Sequence, residues 1–200
     1  LIFAKQLLKK KKSLIIGDVK CSKVFFDQVK KLGGRTIMSK TGHSHVKTNM
    51  KKFSADLAGE MSGHIFFSYG YYGFDDALYA SIQLIDILTN EDKTLSDLVD
   101  EIPKVFNTPE IRIDCDDRTK FEIIKKIIKK QKSLKKKIVD IDGARVSFDD
   151  GWWLLRASNT QPALVLRCEA LSEDGLTNQI NEVKSQLKEI DSTLAEKILA

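Results

Sequence analysis

The apolar positions in the first half of the chain alternate between short continuous runs and helical spacing. Leu14–Ile16 predicts a buried strand, and Thr36–Met38 predicts a second one. Between them, Ser22 can cap a helix whose apolar positions include Val24, Phe25, Val29 and Leu32. Strand, helix and strand in this order predict a βαβ unit with a parallel strand pair.

Further elements of the first half follow the same two periods. A short helix is predicted over Lys47–Phe53 and a strand over Ile65–Phe67, and a short helix ends near Pro103. A longer helix is predicted after a cap at Asp75 or Asp76. Four apolar residues line one face of this longer helix: Leu78, Ile82, Ile85 and Leu88.

The second half contains several short strands separated by tight turns. Asp142-Gly143 and Asp149-Asp150-Gly151 are turn sequences between apolar runs, which predicts an antiparallel meander ending in a strand over Ala163–Cys168. An edge strand precedes the meander, a lysine-rich helix lies between them, and an amphipathic helix over Leu176–Ile190 follows. The predicted fold class is therefore α/β: an α/β/α mixed-sheet domain followed by a smaller α+β domain with an antiparallel sheet.

Domain boundaries follow from this change of pattern. We predict a tail helix of a missing preceding domain over residues 1–13 and an α/β domain over 14–90. A linker with a short helix is predicted over 91–106, and an α+β domain over 107–200. Leu1 stands where a start methionine is expected, which suggests a fragment or a non-standard start codon.

Composition excludes several classes of function. The 200 residues include no apolar run long enough to span a membrane and no signal-peptide pattern. Lys and Arg number 33 against 28 Asp and Glu, a formal net charge of +5. The lysine runs at 9–12 and 125–137 are not interleaved with aromatic side chains, so we expect solvated helix faces rather than a nucleic-acid site. A basic interaction protein, with steeply salt-dependent binding to nucleic acid, is the weakest alternative.

The cysteines and acidic residues do not suggest a metal site. Cys21, Cys115 and Cys168 are far apart and odd in number, which is typical of reduced thiols in a cytoplasmic protein. We therefore expect no metal to be held by this chain.

One short segment, Gly59–His64, carries a carboxylate, a hydroxyl and an imidazole together with two glycines, which allow unusual backbone dihedrals. Glu60 can accept hydrogen bonds from neighbouring sugar hydroxyls, Ser62 can donate and accept, and the imidazole of His64 could move a proton. The alternative is a polar turn between two strands.

A second polar segment, Arg156–Pro162, has the composition of an anion-binding loop. The guanidinium of Arg156 offers a planar fork to a phosphate. Ser158, Asn159 and Thr160 add hydroxyl, amide and backbone donors. Each hydrogen bond to a charged group is worth about 1.5–3 kcal/mol, so a few of them could hold a non-reacting phosphate. The alternative is a capped loop between strands.

Taken with Gly17–Ser22 and Lys40–Ser44, these segments resemble the α-D-phosphohexomutase family, in particular its phosphomannomutase/phosphoglucomutase type. Four segments agree in order and spacing, and the resemblance extends from about residue 14 to the C-terminus. It implies that the chain corresponds to the third and fourth of the family's four domains. The methionine at position 61 resembles enzymes acting on mannose and glucose phosphates, and it does not choose between the two sugars.

The resemblance also implies roles for individual residues. The sugar-binding positions would be Glu60 and Ser62. The catalytic positions would be His64, Lys20 and His43, whereas His45 is expected only to begin a helix. The phosphate-binding positions would be Arg156, Ser158, Asn159, Thr160 and Arg167.

In the family, a phosphoserine passes its phosphate to a hexose phosphate through a bisphosphorylated sugar, with Mg²⁺ stabilising the transfer. This chain has neither the family's serine loop nor its Asp-Gly-Asp-Gly-Asp metal loop: Ser44 is not followed by Asn-Pro, and Asp114–Asp117 contains no glycine. The resemblance therefore predicts half of an isomerase that is inactive alone, whose missing half holds Mg²⁺ and could be a separate chain. A non-catalytic phosphosugar-binding remnant of a decayed gene stays open as the alternative.

Overall fold

A computed structural model describes residues 1–198 of the chain. The chain divides into two compact units, Leu1–Pro103 and a second that begins at Lys104. Each unit has its own sheet and its own hydrophobic core.

The first unit is built on a four-stranded mixed sheet with the order β2-β1-β3-β4. Its strands are β1 (Leu14–Asp18), β2 (Arg35–Ser39), β3 (Leu57–Gly59) and β4 (Ile65–Phe67). Its helices are α1 (Ile2–Lys10), α2 (Lys23–Lys31), α3 (His43–Phe53), α4 (Ala77–Asn90) and α5 (Leu95–Asp100). β1 pairs in parallel with both β2 and β3, and β4 returns antiparallel to β3. The predicted βαβ unit is confirmed.

The two faces of this sheet carry separate cores because successive strand residues point to opposite sides. Ile16 belongs to a core with Val46 and Met50 of α3, whereas Ile15 belongs to another with Leu7 of α1 and Val29 of α2. Both isoleucines are fully buried, and burying such a side chain contributes on the order of 2 kcal/mol. The α/β/α arrangement of the first unit follows from this alternation.

Two features of the first unit differ from the sequence-based expectations. The structure places α1 in the first unit, rather than in a preceding domain, because Ala4 and Leu7 are buried in the core. The predicted apolar face of α4 is largely exposed: Leu78, Ile82 and Ile85 are on the surface. Ile87 is instead the residue of α4 that is buried.

The second unit has a six-stranded antiparallel sheet with the order β5-β10-β9-β8-β7, and β6 also pairs with β10. Its strands are β5 (Phe106–Asn107), β6 (Ile111–Asp114), β7 (Lys137–Val139), β8 (Ala144–Ser147), β9 (Gly151–Ala157) and β10 (Ala163–Ala170). Its helices are α6 (Lys120–Ser133), α7 (Glu173–Lys188) and α8 (Ser192–Glu196). The predicted meander is confirmed by the β7-β8-β9-β10 order.

The core of the second unit lies between one sheet face and its helices. Trp153 and Leu155 of β9 pack in a cluster with Ile127 of α6 and Leu187 of α7. Ser172 caps α7 by accepting a hydrogen bond from the backbone amide of Gly175 at 3.0 Å. β9 is buried along its whole length, and the Arg156 segment begins at its penultimate residue.

Candidate functional site

Three loops of the first unit meet at one edge of its sheet. Since β1, β2 and β3 are mutually parallel, the segments that follow their carboxyl ends lie side by side. Asp18, the last residue of β1, is fully buried and links these loops. Its carboxylate accepts hydrogen bonds from the Cys21 thiol (3.1 Å), the Thr41 hydroxyl (3.4 Å) and the backbone amide of Met61 (3.3 Å).

The Gly59–His64 segment is the loop of the β3–β4 hairpin. The backbone amide of Glu60 donates to the His64 carbonyl at 2.9 Å, and that of Gly63 donates to the Glu60 carbonyl at 3.0 Å. Gly63 has a φ of +95°, which favours glycine. The segment is therefore a polar turn between strands, and the turn carries the side chains of Glu60, Ser62 and His64.

Glu60 joins this hairpin to the loop that follows β2. Its Oε1 accepts a hydrogen bond from the backbone amide of Gly42 at 2.6 Å, and the residue is 7% exposed. Gly42 is the N-cap residue of α3, whose first residue is His43. Glu60 consequently fixes the start of α3, and with it the exposed His43, beside the hairpin.

His64 is oriented by Asp75, which the sequence analysis considered only as a possible helix cap. Its Nδ1 lies 2.7 Å from Oδ2 of Asp75, with side-chain exposures of 50% and 33%. Asp75 is held near the hairpin by an isolated antiparallel bridge to Phe66 of β4. A carboxylate on one ring nitrogen fixes the tautomer and orientation of the imidazole, and Nε2 is the ring nitrogen that does not contact Asp75.

The remaining predicted residues of the first unit are at the same edge. Lys20 follows β1 and is 5% exposed, whereas Ser62 lies exposed on the hairpin turn. His45 is the third residue of α3, where a helix-start residue was expected. The edge therefore combines buried residues that join loops with exposed ones that could meet a ligand.

The Arg156–Pro162 segment of the second unit connects β9 to β10. The Ser158 hydroxyl accepts hydrogen bonds from the backbone amides of Thr160 (3.4 Å) and Gln161 (3.2 Å). The Ser158 amide donates to the Ala163 carbonyl at 2.9 Å, which closes the loop. Ser158 is buried, whereas Asn159 and Thr160 are exposed. Hydrogen bonds of the buried Ser158 thus hold the loop together, whereas the tip of the loop is exposed.

Arg156 is 6% exposed and is paired with Asp142 of the β7–β8 turn. Its Nε and Nη2 donate to the two Asp142 carboxylate oxygens at 3.1 Å and 3.3 Å. Arg167 lies on β10, two residues beyond the β10 partner of Arg156, and its Nε is buried without a hydrogen-bond partner among the described residues. Asp142 is a second residue that the sequence analysis had described only as part of a turn.

A buried lysine donates a hydrogen bond to the same loop. Lys120, the first residue of α6, is 2% exposed. Its ammonium group donates to the Gln161 carbonyl at 2.9 Å and lies 2.5 Å from Oδ1 of Asp117. No sequence pattern identified Lys120, because a lysine in a lysine-rich chain is normally exposed.

The described part of the chain has no cluster of three or more His, Cys, Asp or Glu side chains that could hold a metal ion. None of the helices over the same residues combines the length and apolarity needed to cross a bilayer.

Comparison with known proteins identifies both units. The family model for phosphoglucomutase/phosphomannomutase alpha/beta/alpha domain III matches residues 1–106, and the model for the C-terminal domain of the same enzymes matches residues 110–186. A phosphomannomutase/phosphoglucomutase of Pseudomonas syringae pv. tomato is 44% identical over 191 residues, 95% of this chain and 41% of that protein. One of Pseudomonas aeruginosa is 40% identical over 195 residues, 97% of this chain and 42% of that protein.

A solved structure supports the same family assignment. A phosphoglucomutase/phosphomannomutase family protein of Burkholderia thailandensis superimposes with a TM-score of 0.85 at 38% identity, over 94% of this chain and 40% of that one. The chain therefore spans about two fifths of the length of these relatives, and it matches their C-terminal part.

Proposed function

Because the chain belongs to the phosphoglucomutase/phosphomannomutase family, we propose that it supplies the sugar and phosphate recognition of a mutase that interconverts hexose 1-phosphate and hexose 6-phosphate. The reaction would pass through a phosphoserine and a bisphosphorylated sugar. The phosphoserine would lie outside this chain, and Mg²⁺, bound in the part of the relatives' length that this chain does not span, would stabilise charge on the transferring phosphoryl group. The proposed setting is the cytoplasm, with glucose or mannose phosphate as substrate.

The observation that carries the proposal is the construction of the Arg156 loop. Arg156 and Ser158 are each 6% exposed, and hydrogen bonds within the chain fix their side chains. Asn159 and Thr160 stay exposed at the tip, where a phosphate could accept hydrogen bonds from their side chains and amides. Arg167 would add charge from the neighbouring strand. A rigid support below an exposed polar tip favours binding of an anion over a purely structural turn.

The first unit would hold the sugar. Glu60 and Ser62 would bind neighbouring hydroxyl groups of the hexose, as in the family that the chain resembles. The Glu60 carboxylate already accepts one amide hydrogen bond through Oε1, which fixes its plane for a hydroxyl donor. Lys20 and His43 would act at the same edge on the phosphate or on the reacting hydroxyl.

His64 would move the proton. With Nδ1 held by Asp75, Nε2 is the atom that could take a proton from an attacking sugar hydroxyl and return it to the departing oxygen. Asp75→Asn should then reduce turnover of the assembled enzyme by about 10- to 100-fold, a typical cost of losing an orienting partner. Asp92→Asn, another surface carboxylate of the first unit, is the matched control. Equal turnover in the two variants would contradict the role given to His64.

Binding of hexose phosphate by the chain itself tests the proposal. In titrations of the ¹⁵N-labelled chain with glucose 1-phosphate or mannose 1-phosphate, we expect amide shifts at the Gly59–His64 hairpin and the Arg156–Pro162 loop. Arg156→Ala should abolish the shifts at the second loop. Arg35→Ala, which removes an exposed arginine at the start of β2, should leave them intact. Unperturbed loops at saturating sugar phosphate would contradict the proposal.

A phosphosugar-binding remnant without catalytic function is the second candidate, and a separate N-terminal half chain would be the partner under the first. A remnant has no reason to retain both loops together with their supports. Their joint presence therefore favours the working half of a mutase. A chimera in which this chain replaces the matching part of a relative separates the candidates, because the remnant alternative predicts no turnover.

A further inference from the structure

We propose that Asp142 is a positioning residue for phosphate recognition: it holds the Arg156 guanidinium by one edge so that the opposite edge faces the anion. The inference rests on the proposed function, because the anion is the phosphate of the hexose phosphate. Nothing in the resemblance to the family assigns a role to Asp142.

The geometry of the pair divides the donors of Arg156 into two sets. The Asp142 carboxylate accepts hydrogen bonds from Nε at 3.1 Å and from Nη2 at 3.3 Å, and these two nitrogens form the side edge of the planar guanidinium. The end edge, formed by Nη1 and the second proton of Nη2, points away from that carboxylate. A phosphate can accept two parallel hydrogen bonds from this end edge. Arg156 could therefore bind both groups at once in fixed directions.

The pair is shielded from water, which distinguishes it from the ion pairs on the surface of the same unit. The side chains of Arg156 and Asp142 are 7% and 13% exposed. Asp140, in the same turn, pairs with Lys132 at 2.5 Å, but those side chains are 41% and 56% exposed. An exposed pair of this kind contributes little, whereas a shielded bidentate pair fixes both partners.

A glycine next to Asp142 makes the close approach possible. Gly143 has a φ of +91°, and a Cβ placed on it would lie 2.5 Å from the Leu155 carbonyl oxygen and 2.7 Å from Cα of Arg156. The turn therefore lies directly against the backbone of the arginine that its aspartate holds. Any side chain at position 143 would push the turn, and Asp142 with it, away from Arg156.

The test compares Asp142→Asn with Asp140→Asn in the full 200-residue chain. Both variants remove one negative charge from the same turn, and only the first weakens the hold on Arg156. The Nε–Hε NMR signal of Arg156, assigned with Arg156→Lys, is read first without ligand. The dissociation constants for glucose 1-phosphate and inorganic phosphate are then measured by titration, and a thermal melt of each variant confirms folding.

We expect Asp142→Asn to shift the Arg156 signal, accelerate its hydrogen exchange and raise both dissociation constants roughly two- to tenfold. That factor corresponds to the entropy of restraining one long side chain. Asp140→Asn should change none of these values. An unchanged Arg156 signal, or unchanged or tighter binding in folded Asp142→Asn, overturns the inference.

Failure of the proposed function has a different signature. A wild-type chain that binds neither ligand contradicts the proposed function, and with it the phosphate-binding part of this inference. The hold of Asp142 on Arg156 is still confirmed or overturned by the signal of the ligand-free chain.

Discussion

Replacing Lys120 by methionine tests the support of the phosphate loop most sharply. Methionine keeps the length and the apolar stem, and it removes the ammonium group that donates to the Gln161 carbonyl at 2.9 Å. An unmade hydrogen bond to a charged donor costs about 1–3 kcal/mol. The ion pair with Asp117 adds little, because that carboxylate is 70% exposed and water replaces its partner. Removing a buried charge also returns some desolvation energy, so we expect a net loss of about 1–2 kcal/mol in unfolding free energy.

The position of the tryptophans makes the assay specific to the second unit. The chain has two tryptophans, Trp152 and Trp153, and both lie on β9 with at most 1% exposure. Urea denaturation followed by tryptophan fluorescence therefore reports the unfolding of the second unit, with the free energy obtained by linear extrapolation. Lys125→Met on the same helix is the matched control, since Lys125 and its partner Glu122 are 71% and 61% exposed. It should change the unfolding free energy by less than about 0.5 kcal/mol.

The role of Lys120 in binding needs a second readout. If its ammonium group holds the Gln161 end of the loop, Lys120→Met should also weaken phosphate binding, and Lys125→Met should not. Equal stability and equal phosphate affinity in the two variants would refute the reasoning. Lower stability with unchanged affinity would leave Lys120 a purely structural residue.

Two further predictions concern ionisation. Burial raises the pKa of the Cys168 thiol to about 12. At pH 8 a disulfide reagent should therefore label the half-buried Cys21 first and react with Cys168 only when the chain unfolds. Equal labelling rates of the two thiols in the folded chain would contradict this prediction. The Tyr71 hydroxyl donates to Asp76 at 2.6 Å, which lowers the pKa of Asp76 and raises that of Tyr71. The stabilisation that Asp76 contributes is present above its unfolded pKa of about 4, and it is lost as pH falls through the lower pKa of the folded state. The stabilisation that Tyr71 contributes is lost as pH rises through the raised pKa of its hydroxyl in the folded state. In a spectrophotometric titration, Asp76→Asn should bring the highest tyrosine pKa down, and an identical titration curve would show that the bond has no such effect.

Local patterns in the sequence were sufficient to predict the layers of both units. The burial of Ile15 and Ile16 on opposite faces follows from the two-residue period of a strand. The turn at Asp142-Gly143 was predictable because glycine readily adopts the positive φ that it has there.

The spacing of apolar residues along a helix does not determine what packs against the face that they form. Helical spacing identified Leu78, Ile82 and Ile85 as one face of α4, yet that face is exposed, because periodicity specifies which residues share a face and not what packs on it. The placement of α1 escaped prediction for the same reason. Whether a helix joins the sheet that follows it depends on contacts such as that of Leu7 with the core.

The supports of the candidate site could not be predicted from the sequence, because they join residues that are distant along the chain. Lys120 and Gln161 are 41 residues apart, and Asp142 and Arg156 are 14 apart. Sequence motifs predicted which side chains would meet a ligand, and the structure adds the side chains that contact them. The ligand-binding roles themselves stay predictions.

Turnover by this chain, alone and joined to the N-terminal part of a relative, is the most direct test of the central claim. The N-terminal part of the Pseudomonas syringae protein would be fused to this chain and assayed for conversion of glucose 1-phosphate to glucose 6-phosphate with Mg²⁺. We predict turnover by the fusion, loss of that turnover on Arg156→Ala, and none from the chain alone. Turnover by the isolated chain, or a folded and serine-phosphorylated fusion without turnover, would contradict the account.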